Sequence, residues 1–513
     1  MRIVTLYLSL FVGALAMGQG FNNRYDFAGW GTAQTASGIE ILPDGYLTIG
    51  GGTDYDSIAP GLFFAHGSVH LTRIGLDGEL LWEKRAFRPY HTSLPGWSNC
   101  CDAIPGGGYV VGGASEDTTG FDEVYLMRFD AQGDTLWTKV FGDPNGNQYW
   151  IGRQVKRAPN GDFFIVGDRG GNLGANVDAF IIRTDSDGNE LWRRSYGGPL
   201  IDGFVAIDQC SSNSYYAGGV TFNSTTDSDF FVQRFDDDGD TLWSISWGGI
   251  HKESNAQLTT LADGHAFIAG GWSYAPNFAV MRPYLAKLDS ADGSIIWDNE
   301  YGPSASGTLF FTGKECPSGD LIAAGVTYAD MGFGSGQKGL LCRTTSEGDS
   351  LWMFAYYSQH DSLTDGTGRF YDVLPTADGG FIAAGATYFS ASGNNPQGIS
   401  QDTWVVKVDG LGCIVPGCNT VGITEQATNL LDALSIYPNP AHEQITIALD
   451  LPQSVANKTL EVSIVAMDGK VVLRQALSAS PNTLSLTGIT PGLYHLHITS
   501  GGIWLTGGKL VVE

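Results

Sequence analysis

The densest acidic runs in the sequence are Asp236-Asp-Asp-Gly-Asp240 and Asp185-Ser-Asp-Gly-Asn189, and calcium is the first chemistry they suggest. An EF-type loop needs oxygen ligands at alternate positions from its first residue. Arg234 and Arg183 stand where the first ligand would fall, so both runs read as hairpin turns. Histidine offers one near-pair, His66 and His70, in what reads as a loop without the helical context or third ligand of a zinc site. Gly-x-Ser-x-Gly elbows, phosphate loops and Cys/His nucleophile signatures are absent. The expectation is therefore no catalytic residue, no metal and no cofactor.

Cysteine chemistry is sparser still. Cys413 and Cys418 enclose Ile-Val-Pro-Gly, a turn tight enough to join two sulfurs as a disulfide clasp. Cys210 and Cys316 hold one repeat position in non-adjacent units and read as small buried residues, and Cys100-Cys101 leave a vicinal disulfide open.

What positions these groups is set by a chain of 513 residues with 42% hydrophobic and 16% charged residues, which describes a folded protein of at least two domains. Glycine, 71 residues without a three-residue period, favours turn-dense all-β structure over collagen. With 28 basic against 54 acidic residues the formal charge is −26, which disfavours nucleic acid as a partner. Arg2 and the apolar run Ile3 to Ala16, followed by small residues, read as a secretory signal peptide over 1–18. No later stretch approaches the ~18 apolar residues of a transmembrane helix.

Repeats decide the architecture. Trp82, Trp137, Trp192, Trp243, Trp297 and Trp352 are spaced by 55, 55, 51, 54 and 55 residues. A strand between two glycines six apart, as in Gly107 to Gly113 and Gly264 to Gly270, recurs seven times if Asn213 replaces one glycine. A basic residue inside an apolar strand also recurs seven times, at Arg73, Arg128, Arg183, Arg234, Lys287, Arg343 and Lys407. Each unit reads as four strands, so residues 19–418 are expected to form a seven-bladed β-propeller. The seventh unit lacks a Leu-Trp strand, and Asn23 to Ala28 is expected to supply it and close the ring. An acid two positions after most basic residues, as in Arg128/Asp130, suggests a repeated ion pair.

The Asp130, Gly133, Trp137 set resembles the tryptophan-docking repeat of quinoprotein dehydrogenases, and Cys100-Cys101 resembles their vicinal disulfide. Six matched tryptophans nonetheless read as one structural wedge between blades used six times. The same segments lie one residue out of register from the Asp-box of sialidases, and the Gly-Gly pairs are similar to kelch repeats without their tyrosine, so the superfamily stays open.

Composition changes after Cys418. Residues 419–432 read as a linker, and 433–513 as about seven short strands at sandwich spacing, an Ig-like β-sandwich. Tyr437-Pro438-Asn439-Pro440, the Asp468-Gly469 hairpin, Gly492 and Tyr494 in Pro-Gly-Leu-Tyr, and Lys509-Leu510-Val511-Val512 strongly resemble the type A C-terminal sorting domain of the type IX secretion system of Bacteroidetes. Glu513 departs from the basic last residue common there. The resemblance implies passage through the periplasm, recognition by the translocon, removal of the domain by sortase-like machinery, and release or attachment to surface lipopolysaccharide. The expected destination is the outer surface or the medium.

For the propeller the expectation is a binding or adhesion module, with an extracellular glycan-active hydrolase or quinoprotein-like oxidoreductase as the alternative. In a four-stranded blade, second-to-third-strand loops and blade-to-blade loops emerge on one face. The former are longest in units one and seven, the latter leading into units two and seven. They carry Tyr55, Phe63, Phe64, Tyr90, His91, Trp97, Tyr388 and Phe389, rings suited to stacking on sugars or gripping an extended peptide.

Overall fold

A computed structural model of the chain describes residues 20–26, 33–59, 62–88, 91–116, 122–143, 148–171, 177–329, 337–358, 367–389, 400–414, 434–449, 460–466, 470–477, 481–500 and 503–513. These fall into two compact units, one ending at Ile414 and the other formed by the segments from Leu434 onward.

Valine, isoleucine and aromatic residues dominate the strands of the first unit, and glycines at positive φ such as Gly188 and Gly239 turn its hairpins. The strands form seven antiparallel sheets, six of them following sequence order from the inside out and the seventh taking its outer strand from the start of the chain. Gln148–Arg157, Phe163–Gly171, Asp178–Thr184 and Glu190–Tyr196 make the third blade, and the others repeat it except that the inner strand of blade two is in two pieces. First strands of consecutive blades touch at six of the seven junctions, and blade one meets Thr92–Pro95 of blade two through its second and third strands, so the unit is a seven-bladed propeller.

The tryptophans are the expected wedges. Five of the six indoles pack on the turn glycine of the next blade, Trp82 on Gly133, Trp137 on Gly188, Trp192 on Gly239, Trp243 on Gly293 and Trp297 on Gly348. The indole N–H of Trp192, Trp243, Trp297 and Trp352 donates to a carbonyl of that same turn, at 3.0–3.2 Å. A ring and a hydrogen bond thus set the angle between neighbouring blades.

Closure uses the same device. Phe21–Tyr25 pairs antiparallel with Ser400–Val408 as the outer strand of blade seven. This is two residues earlier than expected, and Phe27 and Ala28 lie outside the described residues. Phe21 takes the tryptophan position against Gly78 of blade one, and the Tyr25 hydroxyl donates to Gly78 O at 2.6 Å. Tyr196, Tyr301 and Tyr356 make the same bond to Gly239, Gly348 and Gly412.

The basic marker pairs differently from the expectation. Arg73, Arg183, Lys287, Arg343 and Lys407 reach Asp44, Asp162, Asp263, Asp320 and Asp378, acids of the first hairpin turn in their own blades. The acid two positions on is engaged by backbone: Asp130, Asp185, Asp236 and Asp409 each accept two amide N–H groups of their own turn. That geometry also accounts for the acidic runs as turns.

Two further expectations change. His66 and His70 lie buried on a strand, with His70 Nε2 2.8 Å from Ser68 Oγ. The long segment of unit one is a strand extension, Gly45–Ala59 against Leu62–Gly75, because its alternating residues continue the ladder where a loop was expected.

The second unit packs a three-stranded sheet of Leu434–Tyr437, Gln444–Leu449 and Asn482–Ser485 on a four-stranded one of Leu460–Ala466, Val471–Leu477, Gly492–Ser500 and Ile503–Val512. Ile445, Ile447, Leu484, Ile464, Leu496, Ile498 and Leu510 from both sheets share its core.

Candidate functional site

One blade breaks the pattern of the ring. The inner strand of blade two is split into Thr92–Pro95 and Cys101–Ala103, both paired with Tyr109–Glu116. Gly96 and Cys100 still bond to Gly112 of that strand, and residues 97–99 bulge out between them toward the channel. Asn99, at φ 49°, makes the turn, and its N–H donates to Ser37 O at 2.9 Å. The Ser98 hydroxyl lies between two carbonyls of distant blades, 2.6 Å from Tyr371 O and 3.0 Å from Phe311 O. Ser98 is buried and ties blade two to blades six and seven, so this short segment plugs the channel.

Beside the plug, Trp97 is 65% exposed and lines a recess of about 220 Å³ with Leu94, Pro95, Thr35, Thr53 and Tyr371. Of the expected aromatics, Trp97 is one whose described side chain lines this recess. His91 is half-buried just before Thr92–Pro95. Tyr55, Phe63 and Phe64 fall on the extended hairpin of blade one, and Tyr388 and Phe389 at the end of a strand of blade seven. The side chains of these five lie outside the described residues, as does Tyr90 altogether. Tyr371 was missed, being an inner-strand residue outside the long loops where the aromatics were sought.

On the other side of the plug, Asn99 lines a second recess of about 110 Å³ with Glu40, Cys101, Asp102, Lys156, Asp208 and Lys314. Carboxylates here join blades: Asp102 accepts from Arg157 N at 2.8 Å, Asp208 from Thr260 N at 2.8 Å, and Asp372 from Ile39 N at 3.0 Å. Lys156 Nζ lies 3.0 Å from Asp208, whose charge pushes the ammonium pKa up. Burial pushes the Glu40 carboxyl up to about 7, reinforced by Asp102 and Asp372 and opposed by Lys314 and Lys156. Cys100 and Cys101 are free thiols, and their mutual hydrogen bond and burial hold the Cys101 thiol well above its ordinary range. Cys210, Cys316 and Cys342 are free as well. Cys413 is buried, and Cys418 lies outside the described residues, as do residues 1–18.

In the second unit the separated motif residues meet. Asn439 Nδ2 donates to Lys509 O at 2.6 Å and Asn439 Oδ1 accepts from Val511 N at 2.9 Å. Ala441 N donates to Val511 O, and Glu513 N returns to Ala441 O, at 2.9 and 2.8 Å. Leu510 and Val512 point into the core, Lys509 is exposed, and Val511 is half-buried. The Tyr494 hydroxyl donates to Thr490 O at 2.6 Å, fixing the turn before Gly492. Tyr437 is half-exposed beside Pro438 and Pro440.

Residues 435–513 match the model of the secretion system C-terminal sorting domain. No curated protein matches the chain. Among solved structures, it is similar to the extracellular domain of the putative hybrid two component system BT3049 from B. thetaiotaomicron, at 12% identity over 86% of this chain and 60% of that one, TM-score 0.35. A protein of unknown function from Dyadobacter fermentans DSM 18053 is similar at 9% over 63% and 100%, TM-score 0.40. Quinohemoprotein alcohol dehydrogenase from Comamonas testosteroni is similar at 13% over 82% and 72%, TM-score 0.36. These likenesses are distant, and no property passes from them to this chain.

Proposed function

Because this chain is a type IX secretion cargo, directed by its C-terminal sorting domain to the cell surface or extracellular space, we propose that its β-propeller is a non-enzymatic binding module. What supports the reading is Trp97, a strongly exposed indole carried on a segment whose next residue is pinned inside the channel. A large exposed ring at the mouth of a recess has little reason to stay there unless a partner covers it. Its flat face suits a sugar ring or an extended peptide. Tyr55, Phe63, Phe64, Tyr90, His91, Tyr388 and Phe389 would widen the same surface.

The rest of the reading follows from export. A signal peptide over 1–18 is removed, the propeller runs to Cys418 with a Cys413–Cys418 clasp, and sortase-like machinery cuts before the Ig-like sorting domain. A glycan and peptide array on the secreted chain tests the proposal, with Trp97→Ala expected to abolish the strongest signal without lowering the melting temperature. Binding that survives this change puts the site elsewhere.

A glycan-active hydrolase is the second reading. Glu40, with its carboxyl pushed up to about 7 in the polar recess, would be its acid. Turnover on a glycan panel, lost in Glu40→Gln, would favour it over the binding module.

A further inference from the structure

Blades three, four and five repeat one junction with three different charge sets. Bridges Val177↔Ile201, Ser228↔Lys252 and Met281↔Ala305 mark equivalent positions, each joining the start of a third strand to the approach to the next blade. The residues that follow are Asp178 and Asp202 in blade three, Asp229 and Glu253 in blade four, and Arg282 and Ser306 in blade five.

In blade three a cation completes the set, since Arg169, cross-strand from Asp178, reaches its carboxylate at 2.8 Å. In blade five the position is itself a cation, and Arg282 donates to Gly302 O at 2.7 and 2.9 Å. In blade four the residue facing Asp229 is Thr221, and Asp227 adds a third carboxylate. One oxygen from each of Asp227, Asp229 and Glu253 lies within 4.8 Å of the others, and among the described residues no basic side chain pairs with them.

The local geometry points inward. Asn223 Nδ2 holds Asp229 Oδ2 at 2.9 Å and Asp227 Oδ2 at 3.4 Å, and Gly249 N holds Glu253 Oε1 at 3.2 Å. The other oxygens, Asp227 Oδ1, Asp229 Oδ1 and Glu253 Oε2, are buried and make no hydrogen bond. The Ser273 amide also approaches the Glu253 carboxylate. Glu253 is only 1% exposed, so its free oxygen is aimed into the cluster and away from water. Gly248 leaves the space, because a Cβ there would strike Asp229 Oδ1 and Glu253 Oε2. Three carboxylates that turn one buried oxygen each toward a common point, without a counter-charge, are costly unless a cation joins them.

We propose that Asp227, Asp229 and Glu253 bind a hard divalent cation of the calcium class at the junction of blades four and five. An all-oxygen set with three negative charges selects calcium-like ions over soft transition metals. This departs from the expectation of no metal, and the site differs from the acidic turns, whose carboxylates are already engaged by their own backbone. The sequence hid it because Glu253 is 24 residues from Asp229 and no loop motif links them.

The test is calcium titration of the chelator-treated secreted chain by calorimetry, with terbium luminescence as a second readout through Trp272, which packs on Gly249. One ion per chain at millimolar affinity or tighter, about the range of extracellular calcium modules, is expected, together with a calcium-dependent rise in melting temperature. Asp229→Asn with Glu253→Gln should weaken binding at least about 100-fold, since two charged ligands are lost. Thr221→Arg copies blade three, and should abolish binding while leaving the chelator-treated protein as stable as the wild type or more so. Absence of calcium binding in the wild type overturns the proposal. So does calcium binding that persists at full affinity in either variant.

Discussion

The carboxamide of Asn439 is hydrogen-bonded to the backbone of Val511 on one side and Lys509 on the other, as a strand neighbour would be. A residue near the start of the sorting domain therefore holds its last strand from the edge, with Leu510 turned into the core between the two contacts. The last strand is paired on one side with Gly492–Ser500, and Asn439 adds a fixed point on its other side.

Asn439→Ala should remove both bonds and cost about 1–3 kcal/mol of domain stability. Asn439→Asp keeps the acceptor for Val511 N and loses the donor, so it should fall between. The check is the fraction of cargo reaching the cell surface together with the melting of the domain. A fully exported alanine variant would show that the clamp is dispensable.

Closure gives a second expectation. Tyr25→Phe deletes a buried hydroxyl bond to Gly78 and should cost about 1 kcal/mol, while deleting Phe21–Tyr25 should lower the melting temperature far more by baring the Ser400–Val408 edge. Equal melting of the deletion and the wild type would mean that the strand contributes nothing.

The propeller was legible because its markers are structural: a tryptophan, a turn glycine and a basic residue each recur for one packing reason. The four-strand order within a unit was legible too, but side-chain partners were not. Arg183 finds Asp162 in the first hairpin turn of its blade instead of Asp185 two residues on, because Asp185 is spent on its own turn. The plug was half legible. The long segment before unit two was visible as a length, but its inward course depends on Asn99 taking a left-handed conformation and Ser98 finding carbonyls more than two hundred residues away. Polar lining of the channel left no sequence signal, since Glu40, Lys156 and Asp208 belong to different blades.

Glu40 sets a pH dependence. Its carboxyl is pushed up to about 7 in the folded chain from an ordinary 4.5, so the folded protein binds the proton more tightly than the unfolded one. Stability from this group is complete below about pH 4.5 and is lost as pH rises through about 7. Glu40→Gln should match the wild type near the acid end and exceed it by about 1–3 kcal/mol above pH 8. Denaturant melts at both ends measure this, and a pH-independent difference would assign the effect to lost packing.

The lock between blades makes the last expectation. Gly239 stands at φ 81°, where a side chain is strained, and a Cβ there would lie 2.8 Å from Trp192 Cη2. Gly239→Ala should therefore cost about 2–4 kcal/mol, from about 1 kcal/mol of left-handed strain plus displacement of the indole. Trp192→Phe alone loses the bond to Asp237 O and part of the packing. In the double variant the smaller ring gives the new methyl room, so the two costs should add to less than their sum, by at least about 0.5 kcal/mol. Strict additivity in a double-mutant cycle would mean that the alanine acts through backbone strain alone, and that the tryptophan does not read the turn of the next blade.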